Sequence, residues 1–546
     1  MQNVDEENKT LSRRSFVVKA AKLAALAAGA NWLDLLAARP AQGQSKSIKG
    51  AGRASSFGSV RSKKHKYSRW LGDDFAVGHQ MRNGDLPDIK SLKANGSAAD
   101  KVDFVIVGGG IAALAAAYKL KSESFILLEQ YDRAGGQSIS GSHNGLDYAL
   151  GAAYFVDNDG PAGQLTAELG LKPACLDQNM DAFWLDKRWQ RPQNFAARGL
   201  KQLKEIVSPI AKSLRQQTLA SFDSALFTAD NTPFSKSLTA LDGKFRAYLD
   251  CFLKSSTCGS ADDISLLAGA EMTAELFSQR YVLPGGNGAI SEALIKSIKA
   301  AGDKRIKTGT FVWSIQIKDD GATVIYQKSK GGPDSQSNAV SDMVRIDCKH
   351  VIICTPPMVT GRILSNVSNQ AKGNLFWMRY GSYMVANLLL DKALDTGTFD
   401  NFVSADGAFS DITVAQMPYQ LNNQYNSSMG SVLTIYKPWA PGTEGRALLL
   451  DGNKSALMAP ILKQLTQITG KSTEQLGLTQ IVLARWGHAI AVPLPRYYQK
   501  LCRIYETNQN SRYSLAHSSL YGVQCLESAL EAGYDASKKA TQSKLN

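Results

Sequence analysis

Cysteine and histidine are scarce in this chain of 546 residues. Its seven cysteines and six histidines are scattered, and the motifs C-x-x-C and C-x-x-C-H do not occur. A redox-active dithiol and a c-type haem are therefore not indicated, and we predict no metal site. Because seven is odd, at least one cysteine lies outside any intramolecular disulfide.

A long uninterrupted apolar segment is also lacking. The apolar run at residues 23–30 is short, with Lys19, Lys22 and Asp34 close to it. A helix that spans a bilayer needs about 20 apolar residues, so we expect no transmembrane anchor. With 44% hydrophobic and 20% charged residues, the composition is otherwise ordinary for a globular protein. The length is sufficient for two domains with a large core.

Acidic residues are absent from residues 44–72, which hold eight lysines and arginines in a chain of net charge +14. This segment is also rich in serine and glycine, so we interpret it as a disordered basic linker within an N-terminal extension, residues 44–100. We expect the linker to lie near an anionic membrane surface rather than on nucleic acid, and we predict no nucleic-acid partner. Residues 73–83 are expected to pack against the body of the protein.

The N-terminal residues carry a targeting pattern. The segment SRRSFVVK at residues 12–19 places Arg13 beside Arg14, and the small-residue sequence AQG at 41–43 offers a cleavage site. Residues 1–43 thus resemble a bacterial twin-arginine export signal. That resemblance implies the twin-arginine translocase as a partner and the periplasm as the location. The alternative is an amphipathic N-terminal helix of a cytoplasmic protein.

The most informative stretch is residues 102–136. An apolar, β-branched run predicts a strand, followed by the turn G-x-G-x-x-A at Gly108, Gly110 and Ala113. A second predicted strand then ends at Glu129. A helix that begins at such a turn presents free N–H groups to phosphates, and an acid about 20 residues further on suits a ribose diol. The order of these features predicts a dinucleotide-binding domain.

Five segments in chain order resemble the flavin-containing amine oxidase superfamily. They are E-x-x-x-R-x-G-G at 129–136, LGAAYF at 150–155, LPGGNG at 283–288, VIICTPP at 351–357 and YSLAHSSLYGVQCLESALEAG at 513–533. The resemblance spans about residues 102–536 and implies that the cofactor is FAD. No attachment motif of the family is visible, so we expect non-covalent binding.

The resemblance also implies which residues contact FAD. By their places in the family's motifs, the expected cofactor-binding residues are Gly108, Gly110, Ala113, Glu129, Arg133, Gly135, Gly136, Gln137, Gly151, Ala152, Ala153, Tyr154, Val312, Ala516, His517, Cys525 and Leu526.

The family's organisation implies an α/β fold with two domains. A doubly wound, Rossmann-like FAD-binding domain is expected to comprise residues 101–170, 280–360 and 500–546. Residues 171–279 and 361–499 are expected to form an α+β substrate domain with a mixed or antiparallel sheet. Ligand pockets tend to form at such a domain boundary, so the flavin is expected there.

The sequence departs from the family where catalysis is concerned. Cys525 stands in place of a tyrosine that forms one wall of the family's aromatic cage, and Val385 or Asn387 occupies the position of a lysine. Gln137 replaces the second arginine of R-x-G-G-R. Backbone groups supply much of the FAD binding, so binding is expected to survive these changes. Catalysis of the family's usual type does not follow.

Five residues are candidates for a catalytic or pocket role. Trp486 and His488 lie on a predicted strand that often lines the family's substrate cavity, and His517 is expected near the flavin, where it can stabilise negative charge on the reduced ring. Cys525 is interpreted first as a small apolar filler. The remaining candidate is Asn387.

The predicted function is that of an exported FAD-dependent oxidoreductase. A hydride would pass from a C–N bond of a small-molecule amine or polyamine to flavin N5, with oxygen or a periplasmic acceptor taking the electrons. The turn at 516–519, Ala-His-Ser-Ser, weakly resembles that of bacterial spermidine dehydrogenases. One alternative is a dehydrogenase or desaturase of an apolar substrate such as an isoprenoid, porphyrin or lipid. Another is a flavin-binding protein without turnover. Acidic side chains near the flavin would favour an amine substrate. An apolar tunnel would favour the dehydrogenase or desaturase of an apolar substrate.

Overall fold

The computed structural model describes residues 65–84, 101–157, 159–177, 180–328, 343–394, 396–442 and 444–545. The predicted export signal and most of the basic linker lie outside these residues. Within them, no helix is long and apolar enough to cross a membrane. The same residues contain no group of three His, Cys, Asp or Glu side chains placed to hold a metal ion.

The strands of the described residues, in chain order, are β1 (Tyr67–Gly72), β2 (Lys101–Val107), β3 (Phe125–Leu128), β4 (Ser140–His143), β5 (Leu146–Ala149), β6 (Tyr154–Val156), β7 (Ala174–Leu176), β8 (Asp181–Leu185), β9 (Arg188–Gln190), β10 (Arg280–Val282), β11 (Ile306–Lys307), β12 (Thr310–Lys318), β13 (Gly321–Lys328), β14 (Met343–Ile353), β15 (Leu364–Ser365), β16 (Tyr380–Leu390), β17 (Asp400–Phe402), β18 (Asp411–Val414), β19 (Ser431–Trp439), β20 (Leu478–Ala491) and β21 (Tyr513–Leu515).

The α-helices of the described residues, in chain order, are α1 (Ala76–Asn83), α2 (Ile111–Lys119), α3 (Pro161–Glu168), α4 (Pro192–Phe195), α5 (Ala197–Gln216), α6 (Ser224–Asn231), α7 (Gly243–Thr257), α8 (Leu266–Thr273), α9 (Gly288–Ala301), α10 (Pro357–Ile363), α11 (Asn369–Gly373), α12 (Met417–Leu421), α13 (Gly445–Asp451), α14 (Lys454–Thr469), α15 (Tyr497–Thr507) and α16 (Leu526–Leu545).

The first large sheet has the strand order β11-β3-β2-β14-β13-β12-β15, and β21 also pairs with β14. The pairs β11–β3, β3–β2, β2–β14 and β14–β21 are parallel, whereas β12, β13 and β14 form an antiparallel meander. Phe104, Ile106 and Leu127 pack on one face of the sheet, with Val105 and Val107 on the other. Both faces are covered, which explains the continuous apolar runs of the parallel strands. The predicted doubly wound fold is confirmed.

The second large sheet has the order β1-β20-β16-β19-β18-β17-β8-β9. Its central pairs are antiparallel, while β1–β20 and β17–β8 are parallel. Alternate residues of β16 lie on opposite faces, so Met384, Ala386 and Leu388 belong to one core while Tyr383 and Val385 belong to the other. The predicted mixed sheet is therefore present, and the second of its cores faces the site described below.

Two sequence-based boundaries need correction. Residues 67–72, predicted as part of a disordered linker, form β1 on the outer edge of β20. This edge is favourable because the Trp70 ring packs under the Arg485 guanidinium, 5.4 Å from the ring centroid, and its Nε1 donates to the carbonyl of Gly452. The predicted domain boundary at residue 500 falls inside α15, whose Tyr497 and Leu501 pack in the same core as Trp486 of β20.

Small residues allow α2 and α16 to pack closely in the first domain. Helix α2 has the sequence IAALAAAYK, and its alanines are almost fully buried. A Cβ on Gly533 of α16 would overlap the carbonyl oxygen of Ala112. The close approach of these helices therefore depends on a glycine at residue 533.

We expect Gly533→Ala to lower the free energy of unfolding by about 1–3 kcal/mol, because the added methyl group overpacks a rigid backbone contact. Gly243→Ala is the matched control, since a Cβ there would meet nothing within 4 Å at the start of α7. Urea denaturation followed by circular dichroism measures both. Equal stability of the two variants would contradict the proposed packing constraint.

Candidate active site

Two glycine turns form one end of a large cavity. Gly108 and Gly136 have positive φ angles of 103° and 59°, and Gly135 N–H donates to the carbonyl of Gly109 at 2.7 Å. Gly110 caps the start of α2 without a side-chain hydrogen bond, and a Cβ there would meet nothing within 4 Å. The N-terminus of α2 is thus open on the side where a phosphate would approach.

The cavity has a volume of about 670 Å³ and extends between the two large sheets. That size lies in the upper half of the range for ligand and cofactor sites, about 300–1,000 Å³. It is lined by both glycine turns, by residues 151–154, by Thr355 and Pro356, and by the start of α16. Segments far apart in the chain therefore meet around one space.

Most of the expected cofactor-binding residues line this cavity. They are Gly108, Gly110, Glu129, Gly135, Gly136, Gln137, Gly151, Ala152, Ala153, Tyr154, Val312, His517, Cys525 and Leu526. Ala113, Arg133 and Ala516 are not among the lining residues. Ala113 and Ala516 are fully buried in the core beside α2, and Arg133 Nη1 donates to the carbonyl of Ser140. Arg133 Nη2 is buried without a hydrogen-bond partner among the described residues, and the expected cofactor contact of Arg133 stays a prediction.

Glu129 places a buried carboxylate at the glycine-turn end. Its side chain is 6% exposed, and Oε1 accepts a hydrogen bond from Tyr131 N–H at 2.8 Å. Burial raises the pKa of this carboxyl to about 7, although backbone donors act in the opposite direction. A buried carboxylate whose pKa is raised is stabilised in its charged form by further hydrogen-bond donors. The two hydroxyls of a ribose would supply such donors.

Two aspartates line the other end of the cavity. Asp400 at the start of β17 and Asp411 at the start of β18 are each 3% exposed. Ser410 Oγ donates to Asp411, whereas Asp400 Oδ1 has no hydrogen-bond partner among the described residues. Burial raises the pKa of Asp411 to about 7 and that of Asp400 well above its usual range, and the proximity of Asp411 raises the Asp400 pKa further.

The nearest arginine is already engaged by another acid. Asp181 of β8 lies directly across from Asp400 in the sheet, and Arg280 Nη2 is 2.5 Å from Asp181 Oδ1. Arg280 is not among the cavity-lining residues. Glu275 does line the cavity, accepts a hydrogen bond from Tyr154 Oη at 3.5 Å, and has a pKa raised to about 8 by burial. This end of the cavity therefore carries three carboxyl groups, of which Asp400 and Asp411 are buried and Glu275 is partly buried.

Aromatic side chains stand beside these acids. Tyr383 and Tyr436 form an edge-to-face pair with ring centroids 5.9 Å apart. Tyr436 Oη donates to the carbonyl of Gly151 at 2.9 Å, and Trp486 Nε1 donates to that of Leu150 at 3.0 Å. The rings of Tyr436 and Trp486 are thus fixed against the segment LGAAYF, one of the five that resemble the flavin amine oxidases. Asp400, Asp411, Tyr383 and Tyr436 were not anticipated from the sequence.

Four of the five catalytic candidates line the cavity: Trp486, His488, His517 and Cys525. Asn387 does not; it is fully buried, and its Oδ1 accepts a hydrogen bond from Thr434 at 2.7 Å. Cys525 Sγ accepts from Ser528 N–H at 3.5 Å, within the first turn of α16. A cap at the helix start is consistent with a positioning role for this cysteine.

Both histidines are held neutral. Burial lowers the pKa of His517 to about 4, and Ser519 N–H donates to its Nδ1, which places the ring proton on Nε2. Burial, together with the nearby Arg446, lowers the pKa of His488 to about 3. At neutral pH His517 can therefore donate one hydrogen bond into the cavity without carrying charge.

Comparisons with known proteins agree with this architecture. The family model described as an NAD(P)-binding Rossmann-like domain matches residues 106–169. Polyamine oxidase 5 of Oryza sativa is 25% identical over 38% of this chain and 43% of its own length. Amine oxidase [flavin-containing] A of Sus scrofa is 39% identical over 16% of this chain and 17% of its own length.

The solved structure of cyclohexylamine oxidase from Brevibacterium oxydans aligns with a TM-score of 0.62 and 16% identity, over 82% of this chain and 100% of that one. The chain has the fold of the flavin amine oxidases. The sequence alignments are shorter, since the chain spans less than half the length of both curated relatives described above.

We expect Glu129→Gln to weaken binding of an adenine dinucleotide about 10- to 100-fold, because a charge-assisted hydrogen bond contributes about 1.5–3 kcal/mol. Glu205→Gln, at an exposed position on α5, is the control and should bind as the wild type does. Isothermal titration measures the dissociation constants. Unchanged affinity of the Glu129 variant would remove this residue from the site.

Proposed function

We propose that this chain is an FAD-dependent oxidoreductase that oxidises a C–N bond of a cationic amine. The observation that carries the proposal is the presence of Asp400, Asp411 and Glu275 in the lining of the cavity that also holds the glycine turns. Buried carboxylates are costly unless a positive partner or donor compensates them. An ammonium group supplies that partner.

The residues fit FAD as the cofactor. The open N-terminus of α2 suits the pyrophosphate, Glu129 suits the adenosine ribose, and the 151–154 segment leads to the acidic end. When bound, FAD supplies a two-electron acceptor for the hydride that leaves the α-carbon of the amine. The oxidised product is an imine, which water converts to a carbonyl compound and a free amine or ammonia.

The protein's own groups would position the substrate and handle its proton. A distal or reacting ammonium group would be held by Asp400 and Asp411, and Tyr383 and Tyr436 would form the aromatic walls. The nitrogen at the reacting carbon must be neutral for its lone pair to assist hydride loss. Asp411, whose pKa is raised to about 7, is suited to accept that proton at neutral pH.

The alternative of an apolar substrate is less well supported. Phe252, Met272 and Phe402 also line the cavity, as an apolar tunnel would require. However, three carboxyl groups beside an apolar substrate would remain without compensation. Val385 occupies the lining where the family's lysine was expected, so turnover without that lysine is part of the proposal.

The purified protein should show flavin absorbance that is bleached anaerobically by amines and not by isoprenoid or porphyrin substrates. Asp411→Asn should raise the KM for amines about 10- to 100-fold through loss of a charge-assisted contact. Asp406→Asn is the matched control, because this residue is exposed on the loop between β17 and β18. If dithionite bleaches the flavin but amines do not, the amine assignment is wrong.

Binding of a permanently charged alkylguanidine should tighten as pH rises. Below pH 6 the Asp411 carboxyl, with a pKa raised to about 7, is protonated, so a cation must displace a proton to bind. Above that pKa the charge is already present. The affinity should therefore rise up to about tenfold per pH unit between pH 6 and 7.5 and then level off. Asp411→Asn should flatten this profile, and a flat wild-type profile would argue against the site.

Export by the twin-arginine route is a separate part of the proposal and is supported by Arg13, Arg14 and the apolar run after them. That route carries folded proteins, which would allow FAD to bind before export. Replacement of both arginines by lysine should leave the protein in the cytoplasm of a bacterial host, as measured by fractionation. Unchanged export would refute the location.

The electron acceptor is decided by whether peroxide forms during turnover. Peroxide indicates oxygen as the acceptor, and its absence indicates another acceptor.

A further inference from the structure

The N-terminal segment at residues 67–84 crosses from one domain to the other at the edge of the cavity. β1 pairs with β20 of the second sheet, and Asp73 follows directly after it. Asp73 Oδ2 accepts from Gly487 N–H at 2.7 Å, while its Oδ1 accepts from Tyr131 Oη of the first domain at 3.2 Å. One partly buried carboxylate therefore fastens the segment to both domains.

Helix α1 then lies along the cavity wall. Met81 is 7% exposed and packs in the core that contains Val312 and Ile363. His79 and Arg82 of the same helix are among the residues that line the cavity. Met81 thus fixes this short helix on the first domain, and His79 and Arg82 line the space where a dinucleotide would lie.

Basic side chains gather at this point. Arg82, Arg362 and Arg446 line the cavity, and their positive charges all lower the pKa of His488. The arginines donate to neutral oxygens: Arg446 to the carbonyl of Gly487 at 2.9 Å, Arg362 to that of Met358 at 2.6 Å, and Arg82 to Asn83 Oδ1 at 3.2 Å. None of these acceptors neutralises their charge.

The three arginines adjoin residue 137, the position at which the family's motif R-x-G-G-R has its second arginine. Gln137 stands there, and its Nε2 donates to the carbonyl of Ala489 at 2.7 Å, one residue after His488. A pyrophosphate carries two negative charges, and a neutral glutamine offers only one hydrogen-bond donor group to them. Arginine is the side chain best suited to supply such charge.

We propose that residues 67–84 form a strap that retains the cofactor, and that Arg82 and Arg446 supply the positive charge to the pyrophosphate that Gln137 does not. This inference rests on the proposed identity of the cofactor as FAD. It assigns a role to the N-terminal extension, and it makes the strap part of the cofactor site rather than a mere connection.

The test compares FAD dissociation constants of the wild type, Arg82→Gln, Arg446→Gln and the double variant, measured from flavin fluorescence. Arg82 is exposed, so its loss should weaken binding only about 3- to 10-fold, and the double variant should lose about 10- to 100-fold. The loss should shrink at 1 M salt, where charges are screened beyond about 3 Å. Arg503→Gln on α15 is the control, because Arg503 is exposed and lies outside both the strap and the cavity lining.

Circular dichroism and the melting temperature of the FAD-free variants establish that each one folds. If the wild type binds FAD and the double variant binds it equally well, the strap proposal is wrong while the proposed function stands. If the folded wild type does not bind FAD at all, both fail.

Hydrogen exchange of the wild type provides a readout that does not depend on any substitution. FAD should slow exchange of the α1 amides about tenfold or more, because the bound cofactor holds the strap in place. Helix α14, which does not line the cavity, should be unaffected. Unchanged exchange in α1 on FAD binding would overturn the strap proposal.

Discussion

The parallel direction of β2, β3, β14 and β21 is the constraint on which the rest of the site depends. Parallel strands end at the same edge of a sheet, so the segments that leave them meet there. Helix α2 begins after β2, and α16 begins shortly after β21. Their N-termini, with free N–H groups and partial positive charge, therefore converge on one cavity. The small residues of α2 and Gly533 of α16 allow this convergence by permitting close packing.

The second sheet contributes groups that the first cannot. Its face toward the cavity carries Tyr383, Tyr436, Asp400 and Asp411 on strands that are neighbours in space. Burial opposes the ionisation of both carboxyl groups and raises both pKa values, and the proximity of Asp411 raises the pKa of Asp400 further. A fold retains such an arrangement at a cost in stability, and a cationic ligand would recover part of that cost. The electrostatics of the cavity thus support the proposed amine substrate more directly than any motif does.

Much of the first domain was predictable because its signals are local. The glycine turn, the strand before it and Glu129 lie within about 30 residues of one another, and each follows from backbone geometry near a phosphate. The order of the later segments then predicted the same sheet. Arg133 shows the limit of this reasoning: it belongs to the motif, yet its side chain turns to the carbonyl of Ser140. Membership of a motif does not fix where a long side chain points.

The N-terminal extension shows a second limit. Its basic composition favoured disorder up to residue 72, but Trp70 and Leu71 within it have a partner in the edge of β20, more than 400 residues away. Composition averages over a segment and does not register a few residues that complete a sheet. Asp73 likewise brings together Tyr131 and Gly487, which are far apart in the chain.

By itself, the sequence determined the doubly wound fold and the position of the glycine turns, since these depend on local periodicity and on residues that permit unusual backbone angles. Only the tertiary structure decided which acids and aromatic rings surround the cavity. Asp181, Asp400 and Asp411 come from three strands that strand pairing makes neighbours, and Arg280 reaches Asp181 from β10 of another sheet. The raised pKa values of the three aspartates arise from burial, which is a property of the assembled core rather than of any segment of the chain.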